Sequence, residues 1–227
     1  MNLILDIVFC IDITSKMELY LDDIKSFIFN FENDVKNRFV CNSSKYEFFF
    51  KIRIVTFGDS SVDKMLSIKL SPSFCFRDKN DHDFLELKSY VNGIRCLSGF
   101  YSSDSLRALS MILQEDWTHR SDNVDSCRNI VFVFSKTCAI RNPEYESLLI
   151  EEVKLLWNES NWKDSIEPFN RVDDRGKRLV LYTKVESPWT DIYDSCDKVI
   201  FCTLEKDVYN SYNESYNEML CAICDNI

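Results

Sequence analysis

An apolar run that ends in an acid and is followed at once by hydroxyl side chains constrains this chain more than any other feature. Leu3-Ile-Leu-Asp-Ile-Val-Phe-Cys-Ile11 has the length of a strand, and Asp12-Ile-Thr-Ser-Lys-Met17 follows it. Helical spacing then begins, with Tyr20, Ile24, Phe27, Ile28, Phe31 and Val35 recurring at intervals of three and four. In an open parallel sheet, ligands sit beyond the carboxyl ends of the strands, so Asp12 and Thr14 stand where function is expected.

The same alternation continues. Tyr46 to Phe57 is a long β-type run closed by Gly58-Asp59, and Met65 to Leu70 reads as a short edge strand. Helices are expected over Asp83–Ile94 and Ser105–Trp117. Asn129-Ile-Val-Phe-Val-Phe134 is apolar almost throughout, as a strand buried on both faces must be. Pro143 opens a helix to about Trp157, since proline suits a first helical turn. An irregular stretch over 158–177, a buried strand Arg178–Thr183, a short helix Trp189–Ser195, a strand Lys198–Cys202 and a closing helix through Tyr216, Met219 and Ile223 complete the chain. This order predicts one α/β domain over residues 1–227. Its sheet is doubly wound, mostly parallel and six-stranded, with one antiparallel edge strand and helices on both faces.

Composition narrows the function. Seventeen Phe and ten Tyr supply bulky core material. A net charge of −10, with no segment gathering Lys and Arg, disfavours nucleic acid as a partner. No apolar run reaches the length of a bilayer span. Of ten Cys, Cys10, Cys127, Cys138, Cys202 and Cys221 lie in or beside apolar runs, where free thiols behave as small hydrophobes. With no basic leader before the first strand, a reduced cytoplasmic protein is expected. Cys221-Ala-Ile-Cys224 lacks the further ligands of a zinc site and reads as two turn-spaced helix positions. Four Gly leave no phosphate-cradling loop, and His82 and His119 read as surface residues. Trp162 is the best candidate for an exposed aromatic anchor.

Several segments, in order, resemble the von Willebrand factor A (vWA) domains of tellurite-resistance-type gene clusters and their alpha-kinase-associated relatives. They are Asp6 to Thr14, Lys51 to Asp59, Ala108-Leu109 with Asp116-Trp117-Thr118, Asn129 to Ser135, and Lys177 to Tyr182 with Pro188-Trp189. The resemblance implies a metal-ion-dependent adhesion site, where three strand-end loops hold a divalent cation through hard oxygen ligands. Asp12 and Thr14 match its first loop, but Lys16 replaces a Ser. Ser98 to Asp104 stands for the second loop; an ungapped match places Phe100 on its Asp and Ser103 on its Glu, and only a shifted reading brings in Asp104. Ser135-Lys136 replaces Thr-Asp in the third.

Asp12, Thr14 and Asp104 would be the ligands of a surviving magnesium site. An ammonium cannot coordinate a cation but can occupy its place, so either Lys16 or Lys136 pairs with Asp12, or both are solvated loop residues pointing away from a decayed site. The expected function is a non-enzymatic protein-binding module with a degenerate metal site and no required cofactor. It would act through Asp12, Thr14, Lys16, Ser102, Ser103, Asp104, Ser135 and Lys136. By resemblance, its partner would belong to a stress-response or defence assembly, as a kinase, phosphatase or ATPase component. The competing enzymatic reading is a haloacid-dehalogenase-like phosphatase, with Asp12 as nucleophile, Ser135 and Lys136 as supporting groups, and Asp191 and Asp194 near a late strand.

Overall fold

The structure is a computed structural model and describes residues 2–40, 47–60, 67–97, 103–118, 126–137, 139, 143–158, 176–203 and 214–224. Seven strands form one sheet: β1 Asn2–Asp12, β2 Glu47–Phe57, β3 Lys69–Leu70, β4 Phe74–Phe76, β5 Ser126–Phe134, β6 Lys177–Thr183 and β7 Val199–Thr203. The spatial order is β3-β2-β1-β5-β6-β7, with β4 also paired to β2. All pairings are parallel except those of β3 and β4 with β2. The helices are α1 Leu21–Val40, α2 His82–Gly93, α3 Ser105–Leu113, α4 Pro143–Asn158, α5 Trp189–Ser195 and α6 Glu214–Cys224.

Alternation along β1 sorts the core into two layers. Leu3, Leu5, Ile7, Phe9 and Ile11 face a layer built with α1, α2 and α6. Val8 and Cys10 face the opposite layer, built with α3, α4 and α5. The first layer is an aromatic stack: Phe9 lies over Phe132 at 5.0 Å between ring centroids, and Phe134 over Tyr182 at 5.0 Å. Phe27 of α1 meets Phe9, Phe132, Phe134 and Tyr182 edge-on. Edge-to-face contacts of this kind add about 0.5–1.5 kcal/mol per pair beyond burial.

A buried polar cluster joins the amino-terminal half of the sheet to the segment after α3. Asp6 has no exposed surface and accepts from Lys51 Nζ at 2.9 Å, Arg53 Nη2 at 3.0 Å, and both the amide and the hydroxyl of Thr118 at 2.9 Å. The Arg53 guanidinium also lies 4.6 Å from the Trp117 ring centroid. Register explains the meeting, because Asp6 aligns with Lys51 and Val8 with Arg53 across the β1–β2 pair. Three segments that carry the family resemblance therefore converge on one structural ion cluster.

The doubly wound, mostly parallel sheet expected from the sequence is the one found, and its antiparallel edge carries one short strand more than expected. Phe74-Cys-Phe76 adds a second antiparallel partner to β2, pairing Phe50 with Phe76, and three residues are too few to show a strand period. The expected helix Ser105–Trp117 stops at Leu113, where Trp117 turns inward and its indole N–H donates to the Ile112 carbonyl at 3.0 Å. Among the described residues, no helix is long and apolar enough to cross a membrane. The eight described cysteines are free. Trp162, His119 and Cys138 lie outside the described residues, whereas Trp157 and Trp189 are core.

Candidate functional site at the strand-order reversal

The strand order reverses between β1 and β5, since β2 lies on one side of β1 and β6 on the far side of β5. Such a reversal opens a crevice at the carboxyl ends of the strands, where ligands of open α/β sheets bind. Ile11 pairs with Phe134, so Asp12 and Ser135 are the next residues on the two strands and meet across the crevice. Asp12 Oδ2 accepts from Ser135 Oγ at 2.8 Å and from Thr137 Oγ1 at 2.5 Å. Oδ1 accepts from the Thr14 amide at 2.9 Å, closing an Asx turn.

Neighbouring strand ends are tied to the same point. The Ile13 amide donates to the Phe57 carbonyl at 2.8 Å, and the Leu97 amide to the Ile13 carbonyl at 2.7 Å. The Asp104 amide donates to the Gly58 carbonyl at 2.8 Å, while Asp104 Oδ2 accepts the Ser60 amide at 3.1 Å. The start of α3 is thus fastened to the end of β2. Met17, fully buried, anchors the short turn Ser15–Met17 beneath the rim.

Asp12 has no exposed surface, and burial raises its carboxyl above the usual aspartate range. Hydrogen bonds from Thr137, the Thr14 amide and Ser135 act in the opposite direction without cancelling the desolvation. The Thr14 hydroxyl is close enough to favour the charged form, yet Thr14 Oγ1 lacks hydrogen-bond geometry to any partner among the described residues. Ser103 Oγ and Ser105 Oγ are likewise buried without a partner among the described residues.

These contacts correct the expected lysine pairing. Asp12 is held by an amide and hydroxyls, and no lysine figures among the causes that set its titration. Lys136 directs its Nζ over the Tyr20 ring, 5.4 Å from the centroid, and Lys16 is exposed on the turn. Of the expected site residues, Asp12, Thr14 and Ser135 come together. Asp104 holds β2 instead, and Ser102 lies outside the described residues.

Sequence reasoning missed Thr137. A legible signal existed, because Ser135-x-Thr137 after β5 repeats the spacing of Asp12-x-Thr14 after the adjacent β1.

Among the described residues the Asp12 cage holds one carboxylate, whose two oxygens accept three hydrogen bonds. Thr14 Oγ1 is the expected ligand atom left uncommitted. Asp12, the nucleophile of the enzymatic reading, has no exposed surface. Asp191 on α5 instead accepts the Ser187 hydroxyl at 2.7 Å on the surface.

Together these features define an α/β domain with a hydroxyl-caged carboxylate at its strand-order reversal. No protein-family model matches the sequence, and no curated protein matches it. Among solved structures, the chain is similar to proximal thread matrix protein 1 from the mussel byssus, solved with a zinc-occupied MIDAS motif. That similarity has 14% identity and a TM-score of 0.45, covering 97% of this chain and 44% of the other. It is also similar to the pilus adhesin SpaC from Lactobacillus rhamnosus GG, at 13% identity and a TM-score of 0.37, covering 58% of this chain and 14% of that one. The chain therefore spans less than half the length of either protein.

Proposed function

We propose that the chain is a non-enzymatic, vWA-like interaction module whose metal-ion-dependent adhesion site has become a metal-free rim. The observation that carries this reading is the Asp12 carboxylate, fully buried and satisfied by Thr14, Ser135 and Thr137. Where a cation would bridge the loops to a partner, hydroxyl donors bridge the β1 and β5 loops to each other. The rim is thereby preorganised, and a protein partner meets the groups around it, with Lys16 and Lys136 on its outer side and Asp104 on the β2 side. Leu19, 70% exposed on the turn after β1, supplies an apolar contact beside them. The partner is best sought among kinase, phosphatase or ATPase components of a stress-response or defence assembly, in the cytoplasm.

Thermal melting with and without millimolar magnesium or manganese tests the reading. A ligand that binds only the native state must raise Tm, by about 2.7 kcal/mol of stability at a hundredfold excess over Kd. No shift is expected with either ion. A saturable rise that disappears in Asp12→Ala would overturn the metal-free rim.

A further inference from the structure

The two faces of the sheet are covered unequally. On the α3 face, α3 and Trp117 cover Val8, Cys10 and Val55, but the amino-terminal ends of β1 and β2 project beyond them. There a hollow of about 430 Å³ is lined by Ile4, Phe49, Lys51, Cys75, Arg77 and Thr118, among others. It lies at the opposite end of the strands from Asp12, and its volume falls within the range of small-molecule sites.

Its lining combines apolar side chains with two cations, Lys51 and Arg77, and one acid, Asp81. Ile4 and Phe49, paired across β1 and β2, form an apolar floor. The Arg77 guanidinium lies 4.3 Å from the Phe49 ring centroid, and no described residue accepts a hydrogen bond from it. Lys51 Nζ is pinned by Asp6 Oδ2 at 2.9 Å and the Asp116 carbonyl at 3.0 Å, which leaves its third N–H unspent. Asp81 is the acid on the lip, and its Oδ2 is occupied by the amides of Arg77 at 2.6 Å and Asp78 at 3.5 Å. The hollow thus offers an aromatic platform and positioned cationic donors.

We infer that this hollow binds a small planar aromatic carboxylate, its ring on the Ile4–Phe49 floor and its carboxylate against Arg77 and Lys51. Arg77 gives the planar, forked donor set that matches a carboxylate, and its stacking on Phe49 fixes that fork before a ligand arrives. The site is independent of the rim at Asp12.

Titration of the whole chain with 2-naphthoate, followed by amide chemical shifts, tests the inference, with uncharged 2-naphthamide as the control. Saturable shifts at Phe49, Cys75, Arg77 and Thr118 are expected, with the amide at least about tenfold weaker than the acid. Arg77→Gln, a change at an exposed position, should abolish that preference while leaving the unliganded spectrum native. The inference falls if no saturable shifts occur, if acid and amide bind the parent equally, if the preference survives Arg77→Gln, or if the shifts cluster at Asp12.

Discussion

Replacing Asp6 with Ala removes the one carboxylate that the Lys51, Arg53 and Thr118 donors share, and the size of the loss follows from what each donor keeps. Lys51 retains the Asp116 carbonyl, and its side chain is 23% exposed, so water compensates it. Thr118 is only partly buried and can also turn to solvent. Arg53 cannot. Its side chain is 4% exposed beneath Trp117, and its Nε has no partner among the described residues even with Asp6 in place. Stranding one member of a buried ion pair costs about 3–5 kcal/mol. For a domain of this size each kcal/mol lowers Tm by about 2–4 °C, so a fall of about 6–20 °C is expected. Urea unfolding at pH 7 checks the free energy, with an unchanged m-value showing that the variant unfolds to the same extent. The double variant Asp6→Leu with Arg53→Leu should recover most of the loss, because an apolar replacement of a whole buried pair is close to neutral. A single variant melting within about 2 °C of the parent would refute the reasoning, since it would make the cluster a hydrated pair of negligible worth.

Three further outcomes follow from the same structure. Burial raises the Asp12 carboxyl, so the native state holds this proton more tightly than the unfolded chain, and stability falls as pH rises from about 4 through the raised native value. Asp12→Asn should therefore melt higher than the parent at pH 7, with the gain vanishing below about pH 4; a lower melting point at pH 7 would contradict the assignment. Ser71 accepts the Ile54 amide through Oγ at 2.8 Å and donates its own amide to the Ile54 carbonyl at 2.9 Å, so Ser71→Ala strands a buried donor and should lose about 1–3 kcal/mol in urea unfolding. Phe9→Ala empties the centre of the aromatic stack and should cost about 3–5 kcal/mol, whereas Phe9→Leu should cost distinctly less.

What the sequence disclosed depended on how local each signal was. The β1 and β5 runs were legible because strands buried on both faces are apolar throughout, and α1 because Ile24, Phe27, Ile28, Phe31 and Val35 repeat at helical spacing. β4 was not, since Phe74 and Phe76 owe their strand character to β2 rather than to their own period. The position of Asp12 was readable as a strand end, but its partners depended on the β1–β5 register, which joins residues 123 and 125 apart in sequence. Counting charges pointed to Lys16 and Lys136 as its partners. Geometry chose hydroxyls, because Ser135 and Thr137 occupy the positions on β5 and its loop that the register brings against Asp12. The Asp6 cluster was missed for the same reason: Asp6, Arg53 and Thr118 each look ordinary in sequence, and only strand pairing assembles them.

The central place of β1 also bears on biosynthesis. Within this sheet β1 is made before every other strand, yet one of its two flanks is covered only by β5, which begins at Ser126. At elongation rates of about 5–20 residues per second, its greasy surface waits several seconds for that neighbour. A nascent chain stalled before β5 would expose the edge of an almost wholly apolar strand, an obvious docking point for a holdase. Completion of the sheet therefore waits for Ser126–Phe134 to emerge.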